Sequence, residues 1–314
     1  MDWKVYYRAE IARSGGRDPI AGFIRSGSDP RVEGMIDRGG VVSFPHTALP
    51  YAGPLQGRLV SALYRRGIER IVALGVLHGS GIEAFKIARD ERRPIGEREV
   101  GFAQVKGGIV PPEGPFDTPF GGYPVWRPAD YGPVRIDRSG ILTAEFSLDT
   151  FASILKVGAE VFGKEEIPIF PVYVGMTRDP IEGGFDLAFD LAEWLRRVVR
   201  DGTALVTTGD LVHYGTAYAA PGEAIGDDDP SLAGRFRAEV ERMLDAGLIE
   251  GDLDEAYRSG SEELKSDQRE ILPVIRAFTG GKGYEILEFE LSDYVRILSV
   301  DPPCYVASAL LTYG

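Results

Sequence analysis

Along the chain, VVSF at 41–44 is a short apolar run and IVALGVL at 71–77 a longer one. The second is too continuous in its hydrophobicity to be half-exposed, which predicts a central strand buried on both faces of a parallel sheet. Between them Leu59, Val60, Leu63 and Tyr64 recur at helical spacing, predicting a helix from about Leu55 to Arg66 that Gly67 stops. Strand, helix and strand make a βαβ unit. A second unit runs from the strand IPIFPVYVG to the strand TALVTTGD. Its helix carries Leu187, Leu191, Leu195 and Val198 on one stripe, places Arg196, Arg197 and Arg200 at its C-terminal end, and stops at Gly202.

Helical patterning also covers Ser147–Phe162, Ala233–Ala246, Asp252–Arg258 and Leu264–Phe278, while YEILEFELSDYVRILSV and CYVASALLTY read as strands. The stretch from Glu97 to Arg138 is rich in Gly and Pro and reads as hairpins and loops. Residues 1–38 are polar and interrupted by Gly and Pro, and the pattern assigns them no element. There is no internal repeat, low-complexity tract or long linker. The expectation is one α/β domain over residues 1–314, with a mostly parallel central sheet flanked by helices.

Composition narrows the function. The 314 residues carry 35 Lys and Arg against 48 Asp and Glu, a net charge of −13. Such a balance disfavours nucleic acid, whose binding is dominated by basic contacts to phosphate. No apolar run approaches the ~20 residues that span a bilayer, and the opening MDWKVYYRAEIARSGG lacks the layout of a secretory signal. The single cysteine, Cys304, excludes an internal disulfide and suits a reducing compartment. A cytoplasmic protein that engages neither membrane nor nucleic acid is expected.

The chain has three histidines, and each follows a predicted strand: His46 after VVSF, His78 after IVALGVL, and His213 in a loop three residues beyond Asp210. In open α/β sheets ligands gather outside the carboxyl ends of the strands, so the three should converge on one cleft. Imidazole is the commonest metal ligand and the side chain best suited to proton exchange near neutral pH. Pro45 fixes the backbone entering His46. Tyr51 and Tyr214 lie close to histidines and could line a pocket or simply pack. The triplet Asp227, Asp228 and Asp229 reads as a solvated loop, because successive side chains cannot all face one ion. There is neither a G-x-S-x-G elbow placed for a serine hydrolase nor a G-x-G-x-x-G fingerprint.

Several segments, in order, resemble the Memo family. VVSFPHTALPYAGP is similar to its SPHAGYxYSGP, IVALGVLHG to VxLGPSH, FDTPFG to WxTPLG, EFSLDTFASIL to EHSLExQLPFL and TTGDLVHYG to SSDFxHYG, and YVASALLTY fits its closing strand. That family shares its fold with the class III extradiol ring-cleaving dioxygenases of the LigB type. Those enzymes hold non-haem Fe(II) with two histidines and a carboxylate, which Memo-like proteins replace by cysteine. The resemblance implies His46 and His78 as metal ligands, His213 as acid/base, and Asp210 as its orienting partner through a hydrogen bond to an imidazole N–H. Glu145 is kept, Phe146 replaces the histidine of EHS, and both join Tyr51 and Tyr214 as candidate substrate contacts.

Where the family has cysteine the chain has ELKSDQREIL, with Ser266 nearest, and Cys304 falls in the last strand. A carboxylate must then complete the ligand set. Glu263 and Asp267 are the candidates, four residues apart and expected on one helix face. The implied activity is Fe(II)-dependent, extradiol-type dioxygenation of a small phenolic or catecholic substrate with O₂, with copper or zinc as other metals. The alternatives are a non-catalytic protein binding redox metal or a peptide in the same cleft, and a hydrolytic metal-dependent reaction on the same fold. Assembly into a homo-oligomer is left open.

Overall fold

A computed structural model describes residues 3–78, 105–179, 182–218 and 231–314. The chain opens with three helices, α1 (Trp3–Arg13), α2 (Arg17–Ser26) and α3 (Pro30–Asp37), followed by β1 (Val41–Phe44), α4 (Leu49–Arg65) and β2 (Arg70–Val76). Four short strands follow, β3 (Gly108–Val110), β4 (Phe116–Thr118), β5 (Gly121–Tyr123) and β6 (Arg135–Ile136). Next come α5 (Asp149–Phe162), β7 (Ile169–Val174), α6 (Asp186–Val198), β8 (Thr203–Thr208) and β9 (Val212–Gly215). The remainder is α7 (Leu232–Leu244), α8 (Leu253–Arg258), α9 (Gln268–Thr279), β10 (Tyr284–Asp293), α10 (Val295–Leu298) and β11 (Cys304–Tyr313).

The main sheet runs β10-β11-β1-β8-β2-β7-β3-β6, with β9 also paired to β11. Its centre, β1-β8-β2-β7, is parallel, while β11 is antiparallel to β1. Successive residues of β2 point to opposite faces. Val72, Leu74 and Val76 join the core layer that also holds Trp194, Leu195 and Ile275, whereas Ile71 and Ala73 join the layer with Leu59, Leu63, Phe151 and Leu155. With both faces covered, a half-polar strand would bury unpaired polar groups, which is why the run reads as continuously apolar. This is the expected architecture: a mostly parallel mixed sheet flanked by helices, forming one compact domain.

Several expectations need correction. Helix α4 starts at Leu49 rather than Leu55, because Pro50 sits in the first turn, where a missing N–H leaves nothing unpaired. The long strand expected over 284–300 ends at Asp293, whose carboxylate accepts the Val295 N–H at 2.8 Å and opens α10. His213 lies in strand β9, opposite Val306 of β11, and not in a loop. The unassigned N-terminal stretch is helical. Its buried Glu10 accepts the Leu49 N–H at 2.8 Å, and Asp29 caps α3 by accepting the Arg31 N–H at 3.0 Å. The Asp227–Asp229 triplet lies outside the described residues. Among the described residues no helix is long and apolar enough to cross a membrane.

Candidate metal centre

Three adjacent parallel strands, β1, β8 and β2, each deliver a polar side chain two residues beyond their last residue: His46, Asp210 and His78. The loop after β1 is held on both sides. The Pro45 carbonyl accepts from Gln56 Nε2 at 2.7 Å, and the Ala48 N–H donates to the Tyr294 hydroxyl at 2.7 Å. The rings of His46 and His78 stand 5.1 Å apart at 85°.

His213 and Asp267 reach the same place by another route. Residues 264–267 lie alongside 210–213, with the His213 N–H donating to Leu264 O at 2.9 Å and the Asp267 N–H to Asp210 O at 3.0 Å. Lys265 makes the approach with φ +52°, a left-handed conformation uncommon for a residue with a side chain. Asp267 then precedes α9, and its Oδ2 accepts the Asp210 N–H at 3.3 Å.

The hydrogen bonds fix each imidazole's tautomer. Thr208 Oγ1 donates to Phe44 O at 2.8 Å, so at 3.2 Å it receives a proton from His46 Nδ1. His213 Nδ1–H donates to Lys265 O at 2.8 Å, and His78 Nδ1–H donates to Glu145 Oε1 at 3.1 Å. In its neutral form each ring thereby carries its lone pair on Nε2, a form that His78 reaches by giving up a proton. Outer partners of this kind orient metal-ligating histidines. His46 Nε2 lies 3.3 Å and His213 Nε2 3.9 Å from Asp267 Oδ2, and His46 Nε2 lies 3.8 Å from Asp210 Oδ2. Donor atoms of His46, His78 and Asp267 fall within 4.8 Å of one another, as do those of Asp210, His213 and Asp267. These buried His and Asp groups can hold a metal ion.

Electrostatics sort the groups. Burial drives the His46 pKa down to about 4, outweighing Asp267 beside it. Burial also disfavours charge on His78, but the Glu145 carboxylate more than offsets it and raises the pKa to about 9. Glu145 also accepts backbone N–H bonds from His78, Phe146 and Ser147 at 2.8, 2.8 and 2.9 Å, and it titrates low despite its burial. Asp210 is pushed well up by burial and by Asp267, whereas the three imidazoles outweigh burial at Asp267 and hold it low. Asp267 is the anion of the pair.

Of the residues expected at the site, His46, His78, His213, Asp210, Asp267, Glu145 and Phe146 come together. Phe146 stacks on His78 with centroids 4.4 Å apart. Asp210 does not reach the His213 N–H; it accepts the His46 backbone N–H at 3.1 Å instead. Glu263 is outside the group and shares no helix face with Asp267: it ends a π-helical turn, Ser259–Glu263, and pairs with Arg258 at 2.8 Å. The left-handed turn at Lys265 breaks the spacing between them. Tyr214 packs on Phe236, since neighbours along β9 face opposite ways, and Tyr51 lies behind the cavity against Tyr294. Ser266 is buried and supports backbone, donating to Asp210 O at 3.3 Å and accepting the Gln268 N–H at 3.2 Å. Cys304 is buried, and burial pushes its thiol up to about 11.

Much of the wall comes from residues with no motif to mark them in the sequence. Trp3 and Tyr7 of α1, with Tyr218, Tyr294 and Phe146, enclose a cavity of about 90 Å³ over the imidazoles. The aromatic run in WKVYY was the available signal for α1. No protein-family model matches the chain, and no curated protein matches it.

Proposed function

We propose that this cavity is a mononuclear non-haem iron centre of the Memo and extradiol kind, acting with O₂ on a small phenolic substrate. One observation carries the reading: three imidazoles, each with its Nδ1–H committed to an acceptor of its own, are gathered around one buried carboxylate. His46, His78 and Asp267 would hold the ion, a two-histidine, one-carboxylate set that leaves positions open. Nitrogen and oxygen donors without a thiolate suit Fe(II) or Zn(II) better than Cu(I). Bound Fe(II) would supply Lewis acidity and one-electron chemistry toward O₂.

The chain's own residues do the rest. His213 Nε2 accepts a proton from a phenolic hydroxyl and later returns it, while the Lys265 carbonyl holds its Nδ1–H and stabilises the imidazolium. Asp210 keeps the His46 backbone in place. Phe146, Trp3 and the tyrosines exclude water and offer faces to a planar ring.

The test is metal content and oxygen uptake with a panel of catechols. Iron-loaded protein should consume O₂ with at least one of them. His213→Gln should keep its iron while turnover slows ~10²–10⁴-fold, the usual worth of a positioned proton-transfer group. Iron binding without oxygen uptake moves the reading to a non-catalytic metal-binding protein. The small cavity, about 90 Å³, favours that second reading.

A further inference from the structure

The first ion, on the reading proposed above, uses His46, His78 and Asp267. That leaves buried Asp210 and half-buried His213 as donors in excess of the three protein ligands that an open site requires. They are not randomly placed. Together with Asp267 they form their own triad with donor atoms within 4.8 Å of one another. His213 Nε2 is 3.9 Å from Asp267 Oδ2, the same oxygen that lies 3.3 Å from His46 Nε2. The His213 ring is already in a ligating tautomer, since its Nδ1–H is committed to Lys265 O. One carboxylate stands between two donor sets, which is the layout of sites holding two ions ~3.5–4 Å apart.

We infer that Asp210, His213 and Asp267 form a second, weaker divalent-cation site that shares the Asp267 carboxylate with the first. The inference rests on His46, His78 and Asp267 being the first. The order of affinity follows from charge. By formal charge, the carboxylates of Asp267 and Glu145 balance one divalent ion, whereas two ions face only those and Asp210. The second ion also meets the field of the first in a buried setting where screening is weak. Its ligand His213 is the proton-transfer group, so occupation of this site removes the lone pair that accepts the substrate's proton. Metal in excess of one equivalent therefore switches the centre off.

The experiment is an anaerobic titration of metal-free protein with Mn²⁺, read by equilibrium dialysis and electron paramagnetic resonance. Wild type should take two equivalents, the second at least ~10-fold more weakly. The six-line signal of isolated Mn²⁺ should grow with the first equivalent and be lost as the second couples to it. His213→Ala should stop at one equivalent with the six-line signal kept. His213→Gln, whose amide can still donate to Lys265 O, should do the same and guards against a folding defect. Saturation of wild type at one equivalent overturns the second site and leaves the first standing. Two equivalents in both His213 variants, or two uncoupled six-line signals, also overturn it. No Mn²⁺ bound at all would reject both sites.

Discussion

His46 and His78 are delivered by one device and end up in opposite electrostatic states. Each stands two residues past a central parallel strand, and their rings meet edge to face. Behind His46 is a neutral hydroxyl, Thr208 Oγ1; behind His78 is a carboxylate, Glu145. The first imidazole is held neutral, with a pKa near 4, and the second is held protonated, with a pKa near 9. Strand geometry sets where an imidazole stands; burial then holds His46 neutral, while the carboxylate on the far nitrogen of His78 overrides burial and keeps it charged.

The strongest way to break this comparison is to remove each ring. His46→Ala and His78→Ala should both abolish tight metal binding in elemental analysis, yet differ as metal-free proteins. His78→Ala leaves the buried Glu145 carboxylate without its counter-charge. Its three backbone N–H donors remain, so the cost should fall at the low end for such a group, ~3 kcal/mol by urea denaturation at neutral pH. His46→Ala strands no charge and should cost visibly less. Equal destabilisation would erase the distinction.

Next in size is the pH dependence of the metal-free fold. The His46 pKa is depressed on folding, so its contribution is fully present above about 6.5 and is lost as pH falls toward about 4. The His78 pKa is raised, so its contribution is full below about 6.5 and is lost as pH rises through about 9. The pair alone gives a stability maximum between these limits, with flanks of ~3 kcal/mol each. Glu145→Gln should remove the alkaline flank and spare the acid one. A wild-type profile flat from pH 6.5 to 9 would contradict the ion pair.

A smaller effect sharpens the neutral corner. Thr208→Val keeps the shape and deletes the acceptor of the His46 Nδ1–H, which should weaken metal binding ~10–100-fold. Calorimetry in buffers of different ionisation enthalpy adds a contrast. At pH 7.5 metal binding should release about one proton in wild type and Thr208→Val, from His78, and almost none in Glu145→Gln. The smallest expected effect is at Phe146. Replacing it by Leu removes the stack on His78 and should cost ~1 kcal/mol of stability, with metal affinity barely changed.

The parts of this site that were legible in the sequence belong to strands whose apolar runs are continuous. β1, β2 and β8 could be placed, so His46, His78 and Asp210 could be placed with them. β9 could not, because VHYG is four residues long and owes its conformation to β11, far along the chain. Asp267 and Glu263 were indistinguishable by spacing; a single left-handed residue between them decides which one reaches the imidazoles. Helix α1 escaped because its inward residues include charged Glu10 and the phenol of Tyr7, so its sequence shows almost no apolar stripe.

The three outer acceptors also differ in how they are inherited. A point mutation can delete the Thr208 hydroxyl or the Glu145 carboxylate, so those supports must be maintained by selection at their own codons. The acceptor for His213 is the main-chain carbonyl of Lys265, which every amino acid possesses. Genetic drift at that codon changes the side chain and leaves the acceptor in place, so long as the left-handed turn survives. Proline at position 266 is the exception, since it would remove the N–H that Ser266 donates to Gly260 O at 2.7 Å and constrain the residue before it. Of the three imidazoles, His213 has the support least exposed to mutation.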